Sequence, residues 1–169
     1  MAGMMVADRA GRRSRRGRIT MAIAYKLVID CTEPIALADF WARALGYQVE
    51  DHSSLIDRLL ATGVVGAGDH TTVDGHKAWR HAAGIRHPDD PVDRDTGVGL
   101  GRRLLFNAVP EPKQGKNRLH LDLHVGAGRR DAEVRRLTEL GATVLRVVEE
   151  PGTSHVTMAD PEGNEFDVQ

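Results

Sequence analysis

The feature that most constrains this chain is a repeat of its own pattern. Leu27-Val28-Ile29-Asp30 lies over Leu119-His120-Leu121-Asp122, and Leu45-Gly46-Tyr47 over Leu140-Gly141-Ala142, at an offset of roughly 90 residues. The loop before the second helix is three residues longer on this alignment. Each copy opens on a run of period two: Ile23 to Cys31 in the first, Leu119 to Asp122 in the second. In the first copy Thr32 is placed to cap a helix and Pro34 suits its first turn. Ile35, Ala38, Trp41 and Leu45 then recur at helical spacing, Gly46 closes the helix, and Tyr47 to Glu50 starts the next strand. In the second copy residues 131–140 form the helix, with Val134, Leu137 and Leu140 inward, Gly141 caps it, and Ala142 to Val148 is the strand that follows. A repeated strand–helix–strand–strand–strand unit predicts an α+β fold of two βαβββ modules, each with its helix on the apolar face of its sheet.

The chemistry concentrates in the second copy. Along Lys116 to Val125 the side chains of His120, Asp122 and His124 share one face, and Leu119, Leu121, Leu123 and Val125 the other. Near the C-terminus, Asp160-Pro161-Glu162-Gly163-Asn164 turns into a short strand with Glu165 on its polar face and Phe166 and Val168 on its apolar one. Residues 61–101 break the pattern. They hold eight of the 18 glycines and four of the eight histidines, and read as a long connection with one helical turn around His76 to Ala83. Gly97-Val-Gly-Leu-Gly101 precedes a strand instead of joining a strand to a helix, so it is no dinucleotide loop. Arg103 to Val109 returns to strand.

Composition narrows the partners. No apolar run approaches the roughly 20 residues of a membrane span. Cys31, the single cysteine, cannot form an internal disulfide, which favours a reducing, cytoplasmic setting. Residues 1–20 carry six arginines and one acid, and without them 17 basic residues face 23 acidic ones. The folded part is therefore acidic, which argues against a nucleic-acid-binding core. The arginine-rich stretch has no apolar core of a secretory signal. The organisation expected is a disordered basic tail over 1–21 and one domain over 22–169, with module one at 22–112, an insert at about 61–101, and module two at 116–169.

Taken in order, Asp39-Phe40-Trp41 before Leu45-Gly46-Tyr47, then Val109-Pro110-Glu111-Pro112-Lys113, Lys116 to Leu123, and Asp160 to Phe166 resemble the vicinal oxygen chelate superfamily, and within it the glyoxalase-like subgroup. The superfamily includes glyoxalase I, the bleomycin-resistance proteins and extradiol dioxygenases. The resemblance implies a cup-shaped sheet for a small molecule, with a divalent metal (Zn, Fe, Mn or Ni) held by first- and last-strand side chains of both modules. Carried over, His120 and Glu165 are the metal ligands of module two, or a metal-free acid/base pair. In module one Val28 stands over His120, and Arg103 or Leu105 over Glu165, so that half offers no ligand. Two ligands alone bind metal weakly, since a bound ion normally has three or four protein donors. Asp30, Asn107, Asp122 and Trp79 are candidate ligand-binding residues, while Phe40, Trp41 and Cys31 belong to the core. Two functions remain open. One is a lyase, isomerase or dioxygenase acting on a small oxygenated or carbonyl compound; the other is a bleomycin-resistance-type binder that sequesters its ligand. A homodimer is an expectation of the family, and neither nucleic acid nor membrane is expected as a partner.

Overall fold

The computed structural model describes residues 25–126 and 128–169; the expected basic tail, and Ile23 where the first strand was expected to begin, lie outside them. Module one consists of β1 (Leu27–Cys31), α1 (Pro34–Leu45), β2 (Gln48–Val49), α2 (Ser53–Ala61), β3 (His70–Val73), β4 (His76–Trp79), β5 (Ala82–Arg86) and β6 (Arg103–Ala108). Module two consists of β7 (Asp122–Leu123), α3 (Arg130–Glu139), β8 (Thr143–Glu150), β9 (Thr153–Ala159) and β10 (Glu165–Val168). The sheets run β1-β6-β5-β2 and β7-β10-β9-β8, with β3 and β4 as a separate hairpin. In both, the first strand lies parallel to the last and the others are antiparallel. The repeat read from sequence is thus a repeat of topology, and the mixed α+β architecture stands as expected.

The stretch 61–101 differs from its sequence reading. It holds the β3–β4 hairpin and β5, a central strand of the first sheet, where a helical turn was expected. The residues of β5 explain the miss: Ala82-Ala-Gly-Ile-Arg carries one branched side chain and a glycine. That glycine is required, because a Cβ on Gly84 would meet Glu50 Oε2 at 1.9 Å. The helix over Ser53–Ala61 was not expected either; its single fully buried residue is Ile56, so its apolar signal is thin.

One core spans both modules. Leu37, Phe40 and Trp41 of α1 pack with Ile85, Leu104 and Phe106 of the first sheet and with Phe166 and Val168 of β10. The Trp41 ring meets Phe166 edge-on at 5.1 Å between centroids. Burial of one such side chain contributes roughly 1.5–3 kcal/mol. Module two also caps α1 at both ends. The first helical turn has unsatisfied N–H groups; just before it, Thr32 and Glu33 N–H donate to the Glu162 carboxylate at 2.8 Å each. Glu33, with no side-chain cap of its own, is the N-cap where Thr32 was expected. At the other end Arg136 of α3 donates to the Arg43 and Ala44 carbonyls at 2.9 and 2.8 Å, and Gly46 closes the helix at φ 67°. The Asp160-Pro-Glu-Gly-Asn turn is the joint itself. Buried Asp160 accepts from Trp41 Nε1 at 3.0 Å and from the Glu162 and Asn164 backbone N–H groups at 3.0 and 2.9 Å.

Candidate functional site

Alternation sorts the inward side chains. On β6, Leu104 and Phe106 are buried against α1, so Arg103, Leu105 and Asn107 take the opposite face. On β10, Phe166 and Val168 are buried, so Glu165 and Asp167 take that face in module two. The registers match: Asp30 pairs with Asn107 in the first sheet, and Asp122 with Asp167 in the second. Two residues earlier, Val28 pairs with Leu105. Leu105, not Arg103, is therefore the counterpart of Glu165, and neither Val28 nor Leu105 has a metal-binding atom.

A cavity of about 460 Å³ opens between β1 and the segment 117–121. Val28, Ile29 and Leu121 give it apolar walls; Asp30, Asn117, His120 and Glu165 supply its polar groups. His120 and Glu165 thus share one cavity, but each has its own partners. Glu165 accepts from the Asn117 N–H at 2.9 Å and pairs with Lys113 Nζ at 3.1 Å. Partial burial pushes the Glu165 carboxyl up; the Asn117 N–H and the Lys113 ammonium outweigh it, and the group ends below its ordinary range. His120 lies before β7, which is shorter than the alternation suggests, and its Nε2 faces Asp122 at 3.3 Å and Asp167 at 3.5 Å. Gln169 Nε2 donates to the other Asp122 oxygen at 2.9 Å, and His155 Nε2 stands 3.8 Å from Asp167.

Of the other expected ligand-binding residues, Asp30 lines this cavity, Asp122 faces His120, and Trp79 lies apart. Asn107 donates to Asp30 at 3.4 Å. Trp79 lines a different space of about 210 Å³ with His52, Leu55, Val98, Arg103 and Leu105, over the first sheet. That face is filled by its own charges. Arg103 forks onto the buried Glu50 carboxylate at 2.6 and 2.7 Å, the Gly99 N–H donates to the same group at 2.7 Å, and His52 Nε2 lies 3.4 Å away. Burial pushes the Glu50 carboxyl up, and the bonds from His52, Arg103 and Gly99 overcome this to hold it at about 2. Sequence reading missed this network because its members lie as much as 53 positions apart. It also missed Asp167, although the alternation that selected Glu165 puts Asp167 on the same face.

The metal implied by the resemblance does not fit its expected place. The module-one positions have no donor, and Glu165 already neutralises Lys113. Donors do converge one strand step further on, where His120, Asp122 and Asp167 each offer an atom within 4.8 Å of the others. Nε2-to-oxygen separations of 3.3 and 3.5 Å are close to the roughly 3.0–3.4 Å between neighbouring donors around an ion bonded at about 2.1 Å.

This fold and site define a class, and the sequence places the chain in it. The profile of the glyoxalase-like domain family matches residues 26–169, and the chain belongs to that family. Solved structures agree on the fold. A glyoxalase/bleomycin resistance protein/dioxygenase family enzyme from Burkholderia phytofirmans is 16% identical, with 85% of this chain and 94% of that one covered at a TM-score of 0.51. A "possible Glyoxalase" from Bacillus cereus is 16% identical over 89% and 99% of the two chains, TM-score 0.50. A variant of the fosfomycin resistance protein FosX from Listeria monocytogenes, complexed with Mn(II) and 1S,2S-dihydroxypropylphosphonic acid, is 8% identical over 89% and 90%, TM-score 0.53. At these identities the likeness is one of fold alone. No curated protein matches the chain. Among the described residues no helix is long and apolar enough to cross a membrane.

Proposed function

We propose that the chain acts on a small oxygenated or carbonyl compound held in the cavity between the modules, with His120 transferring a proton. The observation that carries this is His120 itself: it lines the cavity while two carboxylates face its Nε2. Carboxylates so placed favour a proton on Nε2, which leaves Nδ1 as the nitrogen that accepts one from a ligand. Glu165, held by Lys113 and Asn117, is an anionic hydrogen-bond acceptor for a substrate hydroxyl, and Val28 and Leu121 offer apolar walls to its carbon skeleton. Hydrogen–deuterium exchange at the α-carbon of hydroxyacetone and dihydroxyacetone, followed by proton NMR, tests the reading. A positioned acid/base contributes about 10²–10⁴-fold; His120→Ala should lower the exchange rate by about that factor while far-UV circular dichroism stays unchanged. Equal exchange in the variant sinks the proton-transfer role, and binding without exchange favours a sequestering protein of the bleomycin-resistance type.

A second reading has its own observation, the convergence of His120, Asp122 and Asp167. These three would hold a divalent cation, with Gln169 orienting Asp122 from outside. Such an ion would supply positive charge to polarise a substrate oxygen. Calorimetric titration with Mn²⁺ decides it: one equivalent of heat abolished by Asp167→Asn supports the cation, and unchanged heat in that variant removes it.

A further inference from the structure

The charges that line the cavity do not all find partners within the protein. Glu165 is offset by Lys113 Nζ at 3.1 Å, and His120 faces two carboxylates. Asp30 receives a hydrogen bond from the Asn107 amide at 3.4 Å. Arg118 lines the same cavity, and among the described residues nothing accepts from its guanidinium. Its position is set by the residue before it. The Asn117 N–H donates to Glu165 at 2.9 Å, and Lys113 reaches the same carboxylate, so the irregular segment that carries Arg118 is tied to β10. Asn117 also lines the cavity, and among the described residues its side-chain amide has no partner. The Asn164 amide, by contrast, is committed to Asp160 at 3.1 and 3.0 Å.

The free donors of the cavity therefore belong to neighbouring residues on one wall, while the opposite wall, β1, presents the anion of Asp30. A ligand that matches this arrangement brings a negative group to Arg118 and keeps it away from Asp30. A carboxylate does both. Its two oxygens suit the planar fork of a guanidinium, which stays charged at every working pH. Turned end for end, it would stand against Asp30 and leave Arg118 unpaired, so attraction and repulsion select the same orientation. Charge also favours a carboxylate over a phosphate. One guanidinium balances one negative charge, whereas a phosphate, with about 1.5 to 2, would leave the excess beside Asp30 and Glu165.

We propose that the ligand of this cavity is a small hydroxy or oxo carboxylate, its carboxylate held by Arg118 with the Asn117 amide beside it. That such a compound is also the substrate rests on the proton-transfer reading of His120; that it is bound through Arg118 does not.

Calorimetric titration of the full chain with hydroxypyruvate and with hydroxyacetone tests it; in the second compound a methyl group replaces the carboxylate. Hydroxypyruvate should bind about tenfold to a hundredfold tighter, the range of one hydrogen bond to a charged group. Arg118→Gln should bring the two affinities within about threefold of each other. Arg118→Lys, which keeps the charge without the fork, should fall between. The preference should also narrow as salt is added, because Arg118 is exposed. Equal affinity for the two compounds overturns the proposal, and so does a preference that survives Arg118→Gln. Deuterium exchange at C3 of hydroxypyruvate keeps this result apart from the proton-transfer reading. Binding that depends on Arg118 without any exchange sinks proton transfer and leaves the carboxylate site standing. Exchange that depends on His120 with no preference for the carboxylate does the reverse.

Discussion

Replacing Glu50 by Gln tests the buried network of the first sheet most directly. Glu50 is 6% exposed, Arg103 forks onto it, and Gly99 and His52 complete its shell. Burial alone would raise its carboxyl; His52, Arg103 and Gly99 instead hold it at about 2, against an ordinary 4.5. At 1.36 kcal/mol per pK unit, that difference contributes about 3 kcal/mol to the folded state. Because the folded value is the lower one, the contribution is fully present above pH 4.5 and is lost as pH falls towards 2. Glu50→Gln should therefore do two things. At pH 7 it should cost about 3–5 kcal/mol, since Arg103 stays buried without its counter-charge. Between pH 4.5 and 2 it should flatten the stability curve by about 3 kcal/mol relative to the unmodified chain. Urea unfolding by tryptophan fluorescence at a series of pH values gives both numbers. Equal slopes in the two proteins over that interval would refute the idea that this carboxylate is held ionised by its neighbours. An unfolded variant at pH 7 leaves Arg103→Lys as the finer probe, which keeps the charge and loses the fork.

Two further outcomes follow from the same geometry. Asp160→Ala should destabilise the fold by about 3 kcal/mol or more, because the buried Trp41 Nε1 and two backbone N–H groups lose their acceptor. Asp160→Asn, which keeps one acceptor oxygen, should cost less, and thermal unfolding ranks the two. Cys31 is buried and its thiol is pushed up to about 12, chiefly by burial and then by the negative charge of Glu162. Iodoacetamide at pH 8 should leave it unmodified in the folded chain and label it rapidly in urea, as mass spectrometry would show.

Legibility in the sequence followed the strength of local periodicity. The helix from Pro34 to Leu45 was readable because its large apolar residues repeat at helical spacing between a proline and a glycine. The face of β10 was readable because Phe166 and Val168 alternate with Glu165. β5 was not, because its cup face is Ala82, Gly84 and Arg86, with Gly84 kept small by the carboxylate that arrives from Glu50. A strand whose side-chain space is occupied by another segment loses the branched residues that mark strands. The site was half legible for a related reason. Alternation placed His120 and Glu165 on the polar faces of their strands, but the partners it did not supply are Lys113 and Asn117, in an irregular segment, and Asp167. Period carries the direction of a side chain; it does not carry which neighbour reaches it.

The two modules share a topology and use their polar faces in opposite ways, and Arg103 accounts for the difference. With Leu105 the counterpart of Glu165, Arg103 corresponds to Gly163, a turn glycine at φ +85 with no side chain to bury. A guanidinium placed there, beneath Leu55, Trp79 and Val98, needs a carboxylate, because an unpaired buried charge costs several kcal/mol. Glu50 supplies it. Its carboxylate then needs room, which Gly84 leaves, and a donor for its remaining lone pair, which Gly99 provides. Gly97, at φ +76, lets the loop approach the Asp51 carbonyl so closely that a Cβ would stand 2.0 Å from it. Each step requires the next, and together they occupy the first sheet's polar face around Leu105, the counterpart of Glu165. Substitutions in this network should therefore act on folding, and those at His120, Asp122 and Asp167 on the ligand. On the proposed reading, the second module does the chemistry and the first closes the cavity with Val28 and Ile29.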